Sequence, residues 1–312
     1  MRTALLALAS VTAFVALLAC PAPPDPAPDD DDDDPPPRVY DDLDGAFEIP
    51  GERPVAVFVP TAYDGTRPLP LVLFLHGYGA TGGIMDDYVG LAAFAEANEF
   101  FYATPDGTVD GDGSQFWNAT TACCDFQGRD VDDAAFLRGV IDGAFAQANI
   151  DPRRVFVIGH SNGGFMAQRL ACDHADVVAA VVSLAGAADS TGACDPSEGV
   201  SVLQVHGTND ETIAYGGGGF GAVRYPGAID TVELWASLNG CALLGIDDPA
   251  RIDIDANLAG EETTITRYDD GCVPGGGAEL WTATGGTHLP APNQAYLPAL
   301  WDFLLAHPKP AG

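Results

Sequence analysis

The chain has 312 residues, of which 47% are hydrophobic, and its 45 acidic residues outnumber its 13 lysines and arginines, so that the formal net charge is −32 at pH 7. A surface this negative repels phosphate groups, which makes nucleic acid and anionic membrane surfaces poor partners. Once the N-terminal segments described next are set aside, the remaining length suits one α/β domain with a substantial core.

The first segment is typical of an export signal. Residues 1–19 carry one positive charge, at Arg2, followed by an apolar run that is too short to cross a membrane as a helix. The segment runs into Leu17, Leu18, Ala19 and Cys20, which resembles a bacterial lipobox. We therefore expect a signal peptide over residues 1–19 and lipidation of Cys20. The alternative is an ordinary secretory peptide with an unmodified cysteine.

Residues 20–40 predict a tether between that lipid and a folded domain. Residues 21–37 are only proline, alanine and aspartate, so they cannot bury enough surface to offset their ordering entropy. A calcium site in the aspartate run is disfavoured because nothing around it fixes a coordination geometry. We predict a catalytic domain over residues 41–312, outside the cell or at the cell surface, with the lipid as its only contact with membrane.

Short apolar runs closed by glycine or polar turn residues predict strands in the remaining chain. These runs are residues 55–59, 71–75, 100–103, 155–158, 178–184, 200–205 and 279–282. Several are apolar on both faces, as buried parallel strands are. Apolar spacing predicts helices over 131–148, which Asp130 or Asp132 could cap, and over 295–305. The alternation predicts the α/β class, with a mostly parallel sheet covered by helices on both faces.

Four of these strands run into glycine-rich turns that hold most of the unusual polar residues. The turns are HGYGATGG at 76–83, GHSNGG at 159–164, HGTND at 206–210 and GGTH at 285–288. In such a sheet, ligands bind beyond the carboxyl ends of the strands. Three of the turns supply Ser161, Asp210 and His288, in the chain order that α/β-hydrolases use for a catalytic triad.

These three residues predict nucleophilic catalysis. A serine flanked by glycines on a strand-to-helix turn is exposed. In a chain with 37 glycines, however, the pattern G-x-S-x-G also arises by chance. His288 would take the proton of Ser161, and Asp210 would accept the other ring N–H and stabilise the imidazolium. Asp189, in the loop after a neighbouring predicted strand, is the competing acid.

The other histidines are expected to be structural. His76 and His206 each precede a glycine at a strand end and should bond loop backbone. His160 adjoins Ser161, but its side chain should point away from the attack face. His174 and His307 have the positions of helix-surface residues.

Together the four turns resemble those of a family of α/β-hydrolases, the secreted poly(3-hydroxybutyrate) depolymerase-like and feruloyl esterase-like enzymes, which includes acetyl-xylan esterases. The resemblance spans residues 47–305 and extends to Phe-Trp-Asn at 116–118 and to the cysteine positions. Two features depart from it. Leu-Pro-Ala-Pro follows His288 where relatives commonly carry a tryptophan, and the separate C-terminal domain usual in depolymerases of solid polymer does not follow the last predicted helix.

The α/β-hydrolase fold implies an oxyanion hole made of two backbone N–H groups. One belongs to Asn162, and the other to Tyr78 or, less favoured, to Gly79. The side chain of Tyr78 is also a candidate for the lining of the acyl pocket. Trp117 either stacks on a ring of the substrate or lies buried as a structural residue.

Cysteine usage fits an oxidising compartment. Six cysteines remain after Cys20, and an even number in an exported chain predicts three disulfides. The resemblance implies that Cys241 pairs with Cys272 around a β-rich insertion. Pairing stays open for the other four, one option being a bridge between neighbours: Cys123, Cys124, Cys172 and Cys194. No zinc-ligand spacing is present, and neither a metal nor an organic cofactor is expected.

We therefore expect a monomeric, exported serine esterase that acts through an acyl-enzyme on small-molecule or polymer-linked esters. Feruloyl or acetyl esters of polysaccharide are favoured over a hydroxybutyrate polyester, because of the missing polymer-binding domain and the ring of Trp117. A peptidase or acyltransferase on the same fold is an alternative. A non-catalytic surface binding lipoprotein is the alternative of another class.

Overall fold

The chain divides into two units, Met1–Arg38 and Val39–Gly312. The computed structural model describes Tyr40, Leu43 and residues 45–311, all within the second unit. The predicted signal peptide, Cys20 and nearly all of the predicted tether lie outside the described residues, so the roles assigned to them remain predictions.

Fourteen strands lie within the described residues. In chain order they are β1 (Ala46–Ile49), β2 (Val55–Phe58), β3 (Leu69–Leu75), β4 (Phe101–Ala103), β5 (Thr108–Val109), β6 (Gln115–Phe116), β7 (Ile150–His160), β8 (Ala180–Leu184), β9 (Ser201–Gly207), β10 (Gly218–Phe220), β11 (Val223–Tyr225), β12 (Ile246–Ile252), β13 (Thr263–Tyr268) and β14 (Gly277–Ala283). All seven strands predicted from the sequence overlap one of them.

Ten of these strands form one sheet, in the order β1-β2-β4-β3-β7-β8-β9-β14-β13-β12. The six central strands, from β4 to β14 in this order, run parallel to one another. Antiparallel pairs close the two edges, β1 with β2 on one side and β12 with β13 on the other. The predicted mostly parallel α/β sheet is confirmed.

Six helices lie within the described residues. They are α1 (Gly82–Val89), α2 (Leu91–Asn98), α3 (Asp133–Gln147), α4 (Asn162–Asp173), α5 (Ala228–Leu238) and α6 (Tyr296–Ala306). The predictions over 131–148 and 295–305 correspond to α3 and α6. Asp132, one of the two proposed caps, accepts a hydrogen bond from the backbone N–H of Ala135 at 3.0 Å and begins α3. None of the described helices combines the length and apolar content that crossing a membrane requires.

The two faces of the sheet are covered by different helices because the central strands are apolar on both sides. In β3, Leu71 and Leu73 pack into the core under α3, α4 and α5, while Val72 and Phe74 pack into the core under α1, α2 and α6. Alternate residues of a strand point to opposite faces, so an uninterrupted apolar run fits only a strand buried on both. Every residue of β3 is buried accordingly.

Three disulfides connect the described cysteines: Cys123–Cys124, Cys172–Cys194 and Cys241–Cys272. The third is the pair that the resemblance implies, and β12 and β13 lie between its two cysteines. The second joins α4 to the loop after β8. The bridge between neighbours, which the sequence left as an option, is the one that the remaining two cysteines form.

Candidate active site

The turn between β7 and α4 gives Ser161 a conformation that is possible only because its neighbours are small. Ser161 has φ 55° and ψ −120°, outside the regions that most residues adopt. A Cβ atom at Gly159 would lie 2.0 Å from the carbonyl oxygen of Gly163, and one at Gly163 would lie 2.1 Å from that of Leu75. The glycines therefore permit the close approach that turns the chain directly from strand into helix.

Ser161, His288 and Asp210 meet at the carboxyl ends of β7, β14 and β9. The Nε2 atom of His288 lies 2.9 Å from Ser161 Oγ, and its Nδ1 atom lies 2.8 Å from Asp210 Oδ2. Asp210 accepts only, so the Nδ1 atom carries the proton and Nε2 is free to accept that of the serine. The structure thus brings together the three residues that the sequence grouped.

The surroundings of Asp210 keep its carboxylate charged. Its Oδ1 atom accepts backbone N–H groups of Thr212 and Ile213, both at 2.8 Å. Burial acts to raise the pKa of Asp210, but hydrogen bonds from His206 and His288 outweigh it and hold that pKa below its ordinary value. A buried negative charge therefore faces the ring of His288.

Asp189, the competing acid, lies elsewhere. Its carboxylate accepts hydrogen bonds from the backbone N–H and the hydroxyl of Thr191, at 3.0 and 2.8 Å, within the loop after β8. It makes no hydrogen bond to His288 in the described part of the chain. The geometry therefore selects Asp210.

The backbone N–H groups of Tyr78 and Asn162 remain the candidate oxyanion donors. Gly79, the less favoured candidate, donates its N–H to the carbonyl of Gln115 at 2.8 Å and is thereby engaged. Among the described residues, no hydrogen bond uses the N–H of Tyr78 or Asn162. The loop lies against the nucleophile, since a Cβ atom at Gly77 would be 3.3 Å from that of Ser161. Asn162 also begins α4, where the helix dipole favours negative charge.

Trp117 does not stack on substrate, and of the two alternatives that the sequence left open the buried structural residue is the one found. The side chain is fully buried, with Nε1 donating to the carbonyl of His76 at 3.0 Å. Its backbone N–H and carbonyl both bond the side-chain amide of Asn162, at 2.7 and 2.8 Å. Trp117 is buried because the segment around it folds back onto the start of α4, where it supports the residue that carries one oxyanion donor.

His76 and His160 have the structural roles that the sequence predicts. Nδ1 of His76 donates to the carbonyl of Gly77 at 2.8 Å, and Nε2 accepts the N–H of Gly107 at 2.9 Å. Nε2 of His160 donates to the carbonyl of His288 at 2.8 Å. Burial lowers the pKa of both rings, that of His160 to about 4. His160 is therefore a neutral donor that holds the backbone of His288, the candidate base.

His206 extends the site beyond what the sequence predicts. Its Nε2 atom donates to the carbonyl of Ile213 at 2.7 Å, as a structural histidine would, and also lies 3.3 Å from Asp210 Oδ2. Its Nδ1 atom accepts from Gln204 at 3.0 Å, which fixes the proton on Nε2. Gln204 in turn accepts from Gln168 on α4 at 3.0 Å. A glutamine within the apolar run 200–205 was the available signal for this buried network.

A cavity of about 390 Å³ lies beside α4 and α5, away from these groups. Gln168, Arg169, Trp235 and the Cys172–Cys194 bridge line it, and none of Ser161, Asp210 and His288 does. The reacting groups are instead assembled at the strand ends. No three His, Cys, Asp or Glu side chains of the described residues are placed to hold a metal ion.

The comparison with known proteins agrees with this architecture. Residues 70–214 match a family model described as the alpha/beta hydrolase fold. Feruloyl esterase B of Piromyces equi is 28% identical over 261 residues, which are 81% of this chain and 45% of that protein. Feruloyl esterase C of Emericella nidulans is 26% identical over 263 residues, covering 80% of this chain and 82% of that protein.

A solved structure has the same fold. The acetyl xylan esterase from Aspergillus awamori superposes with a TM-score of 0.59 at 16% identity, over 83% of this chain and 99% of that one. The chain spans less than half the length of the Piromyces relative, at 45%. The matched segment, the sheet order and this superposition agree that the chain has the α/β-hydrolase fold.

Proposed function

We propose that the chain is an exported serine esterase that hydrolyses carboxylic esters through an acyl-enzyme. One observation carries this proposal, the continuous hydrogen-bonded series from Ser161 through His288 to Asp210. The relatives named above are esterases, which supports the same reaction class.

In the first half of the reaction, Ser161 Oγ attacks the ester carbonyl while His288 Nε2 takes its proton. The carbonyl oxygen becomes an oxyanion, which accepts hydrogen bonds from the N–H groups of Tyr78 and Asn162. When the tetrahedral intermediate collapses, the bond to the alcohol breaks and His288 donates its proton to that leaving oxygen. The product of this half is an acyl group on Ser161 and a free alcohol.

In the second half, water replaces the alcohol. His288 removes a proton from the water as it attacks the acyl carbonyl, and the same two N–H groups hold the second oxyanion. Collapse returns the proton to Ser161 Oγ and releases the acid. Each time His288 becomes charged, the carboxylate of Asp210 lies 2.8 Å from its Nδ1 atom and stabilises the imidazolium.

We place the substrate among feruloyl or acetyl esters linked to polysaccharide. The named activities of the relatives support this choice, whereas Trp117, being buried, no longer does. A hydroxybutyrate polyester or its oligomers is the second candidate, which rests on the resemblance of the four turns alone.

The experiment is a comparison of methyl ferulate, p-nitrophenyl acetate, acetylated xylan and hydroxybutyrate oligomers as substrates. We expect hydrolysis of the first three above that of the oligomers, with Ser161→Ala as the inactive control. Faster turnover of the oligomers would overturn the substrate choice. Absence of any hydrolysis, together with no labelling by a serine-reactive phosphonate, would instead favour the non-catalytic binding lipoprotein.

We further propose that the enzyme is held at the cell surface by lipid on Cys20. The lipobox-like residues 17–20 motivate this, and three disulfides fit an oxidising compartment. Two acyl chains on one residue are enough for stable anchoring.

A further inference from the structure

Three aromatic side chains lie in a row beside the candidate oxyanion hole. The ring centroids of Tyr78 and Phe126 are 5.5 Å apart, and those of Phe126 and Phe220 are 5.3 Å apart. These residues come from three separate segments: Tyr78 from the loop after β3, Phe126 from the loop before α3, and Phe220 from the β10–β11 hairpin. Their meeting is therefore a product of the tertiary fold.

The row faces solvent. Tyr78 is 41% and Phe126 52% exposed, and Phe220 is half-buried. Single exposed apolar residues are common on protein surfaces, but a contiguous group of large rings is a feature of binding sites.

Both ends of the row are fixed to the nucleophile turn. Tyr78 carries the candidate oxyanion N–H, and at the other end Phe220 contacts Tyr225, whose ring packs 5.9 Å from that of Phe165 on α4. The N–H of Phe165 bonds the carbonyl of Ser161 at 3.1 Å. Contacts at both ends of the row therefore lead to the turn that carries Ser161.

The supports of the row are rigid. The Tyr78 hydroxyl donates to Asp110 Oδ2 at 2.5 Å, which fixes the ring orientation. The loop that carries Phe126 is closed by Asp125, which accepts the N–H groups of Arg129 and Asp130 at 2.8 and 2.7 Å. Aromatic surfaces held in place in this way bind with little loss of side-chain entropy.

We propose that Tyr78, Phe126 and Phe220 form an aryl-binding surface that holds the aromatic acyl group of a hydroxycinnamoyl ester. This inference rests on the proposed function and specifies its substrate. Two of the three side chains have no polar atom, and the hydroxyl of the third is already bonded to Asp110. The flat apolar face of an aryl ring matches such a surface more closely than a sugar ring, which carries a hydroxyl group on most of its carbons.

Steady-state kinetics of the double variant Phe126→Ala/Phe220→Ala tests the surface. We expect KM for methyl ferulate to rise about tenfold or more, because two stacking contacts are lost, while kcat changes less than about threefold. The kcat/KM for p-nitrophenyl acetate, which has no aryl acyl group, should stay within about twofold. The matched control is Leu244→Ala, which removes an exposed apolar side chain remote in sequence from the row.

Three kinetic outcomes would overturn the proposal. They are an unchanged KM for methyl ferulate, an equal loss on p-nitrophenyl acetate, and a loss on acetylated xylan while methyl ferulate is unaffected. The last would show that the rings hold sugar.

A binding measurement separates this inference from the proposed function. In the Ser161→Ala background, calorimetry with methyl ferulate reports the surface without turnover. We expect the double substitution to weaken binding about tenfold or more. If the parent chain fails to hydrolyse any ester but this difference appears, the surface stands and the esterase assignment falls. If hydrolysis occurs and binding is unchanged, the reverse holds.

Discussion

The charge of a single residue, Asp210, decides which ring nitrogen of His288 carries the proton. Because Asp210 accepts the Nδ1–H bond at 2.8 Å, Nε2 is left free to accept from Ser161. Asp210→Asn places an amide donor or a weaker acceptor there, so the ring loses both the tautomer and the stabilising charge. We predict a fall in kcat of about ten-thousand-fold on p-nitrophenyl acetate.

Asp189→Asn is the matched control for that substitution. Its carboxylate bonds only Thr191 among the interactions described, so we expect kcat within about twofold of the parent value. An inactive Asp189→Asn beside a nearly normal Asp210→Asn would reverse the assignment of the acid.

A second residue, His160, makes stability depend on pH. Burial lowers its pKa from 6.5 to about 4, so between these values the unfolded chain binds a proton that the folded chain does not. The free energy of unfolding must therefore decrease as pH falls through this window, by about 3 kcal/mol in all. Denaturant titrations from pH 7 to pH 4 measure the slope.

His160→Gln is the comparison for the pH effect, because its amide can still donate to the carbonyl of His288 but does not titrate. The variant should lose that part of the pH dependence while the effect of Asp210 persists. A depressed carboxylate pKa contributes stability that disappears only as pH falls below the ordinary value of 3.8. Identical slopes in the two proteins would contradict the account of His160.

The sequence predicts those site residues whose positions are set by the end of a strand. Ser161, Asp210 and His288 each lie in the turn that follows a strand, and parallel strands bring their carboxyl ends to one edge. The environment of Trp117 depends instead on how an irregular segment folds back onto Asn162, which no periodicity encodes. The aromatic row was missed for the same reason, since Phe126 lies in a loop and Phe220 in a short hairpin remote from it in sequence.

Strands and helices also differ in how well the sequence predicts them. The central strands are predictable because burial on both faces demands continuous apolar residues, as in β3. Strand β12 is an edge strand whose seven residues are exposed or half-buried, and its sequence IDDPARI carries no such signal. Helix α1 begins at Gly82, after the cap residue Thr81, in a glycine-rich segment. Such a segment by itself indicates a turn.

The Cys241–Cys272 disulfide stabilises the element that contains β12 and β13. Its cysteines are 31 positions apart, and closing a loop of that length in the unfolded chain contributes about 2–4 kcal/mol. We predict that Cys241→Ala/Cys272→Ala lowers the free energy of unfolding by this amount in denaturant titration.

Activity of that double variant should remain within about twofold under conditions where it is folded. Cys272 precedes β14, whereas His288 follows its carboxyl end, so the bridge and the reacting groups lie at opposite ends of the strand. A loss of kcat without loss of stability would contradict this separation.

At the scale of the whole molecule, the proposed lipid limits where the enzyme can act. At about 3 Å per residue, residues 21–37 would reach roughly 50 Å from a membrane. We predict that activity is recovered with the membrane fraction, and that Cys20→Ser behind a different signal peptide releases it into the medium. Native activity found mainly in cell-free medium, with an N-terminus beyond residue 20, would contradict the anchor.

We propose that Ser161 attacks esters with the help of His288 and Asp210. The test is to measure by chromatography the release of ferulic acid from methyl ferulate by the parent chain and by Ser161→Ala. We predict steady release by the parent chain and a fall in kcat on the order of a million-fold in the variant. Release by Ser161→Ala at a rate near that of the parent chain would contradict the claim.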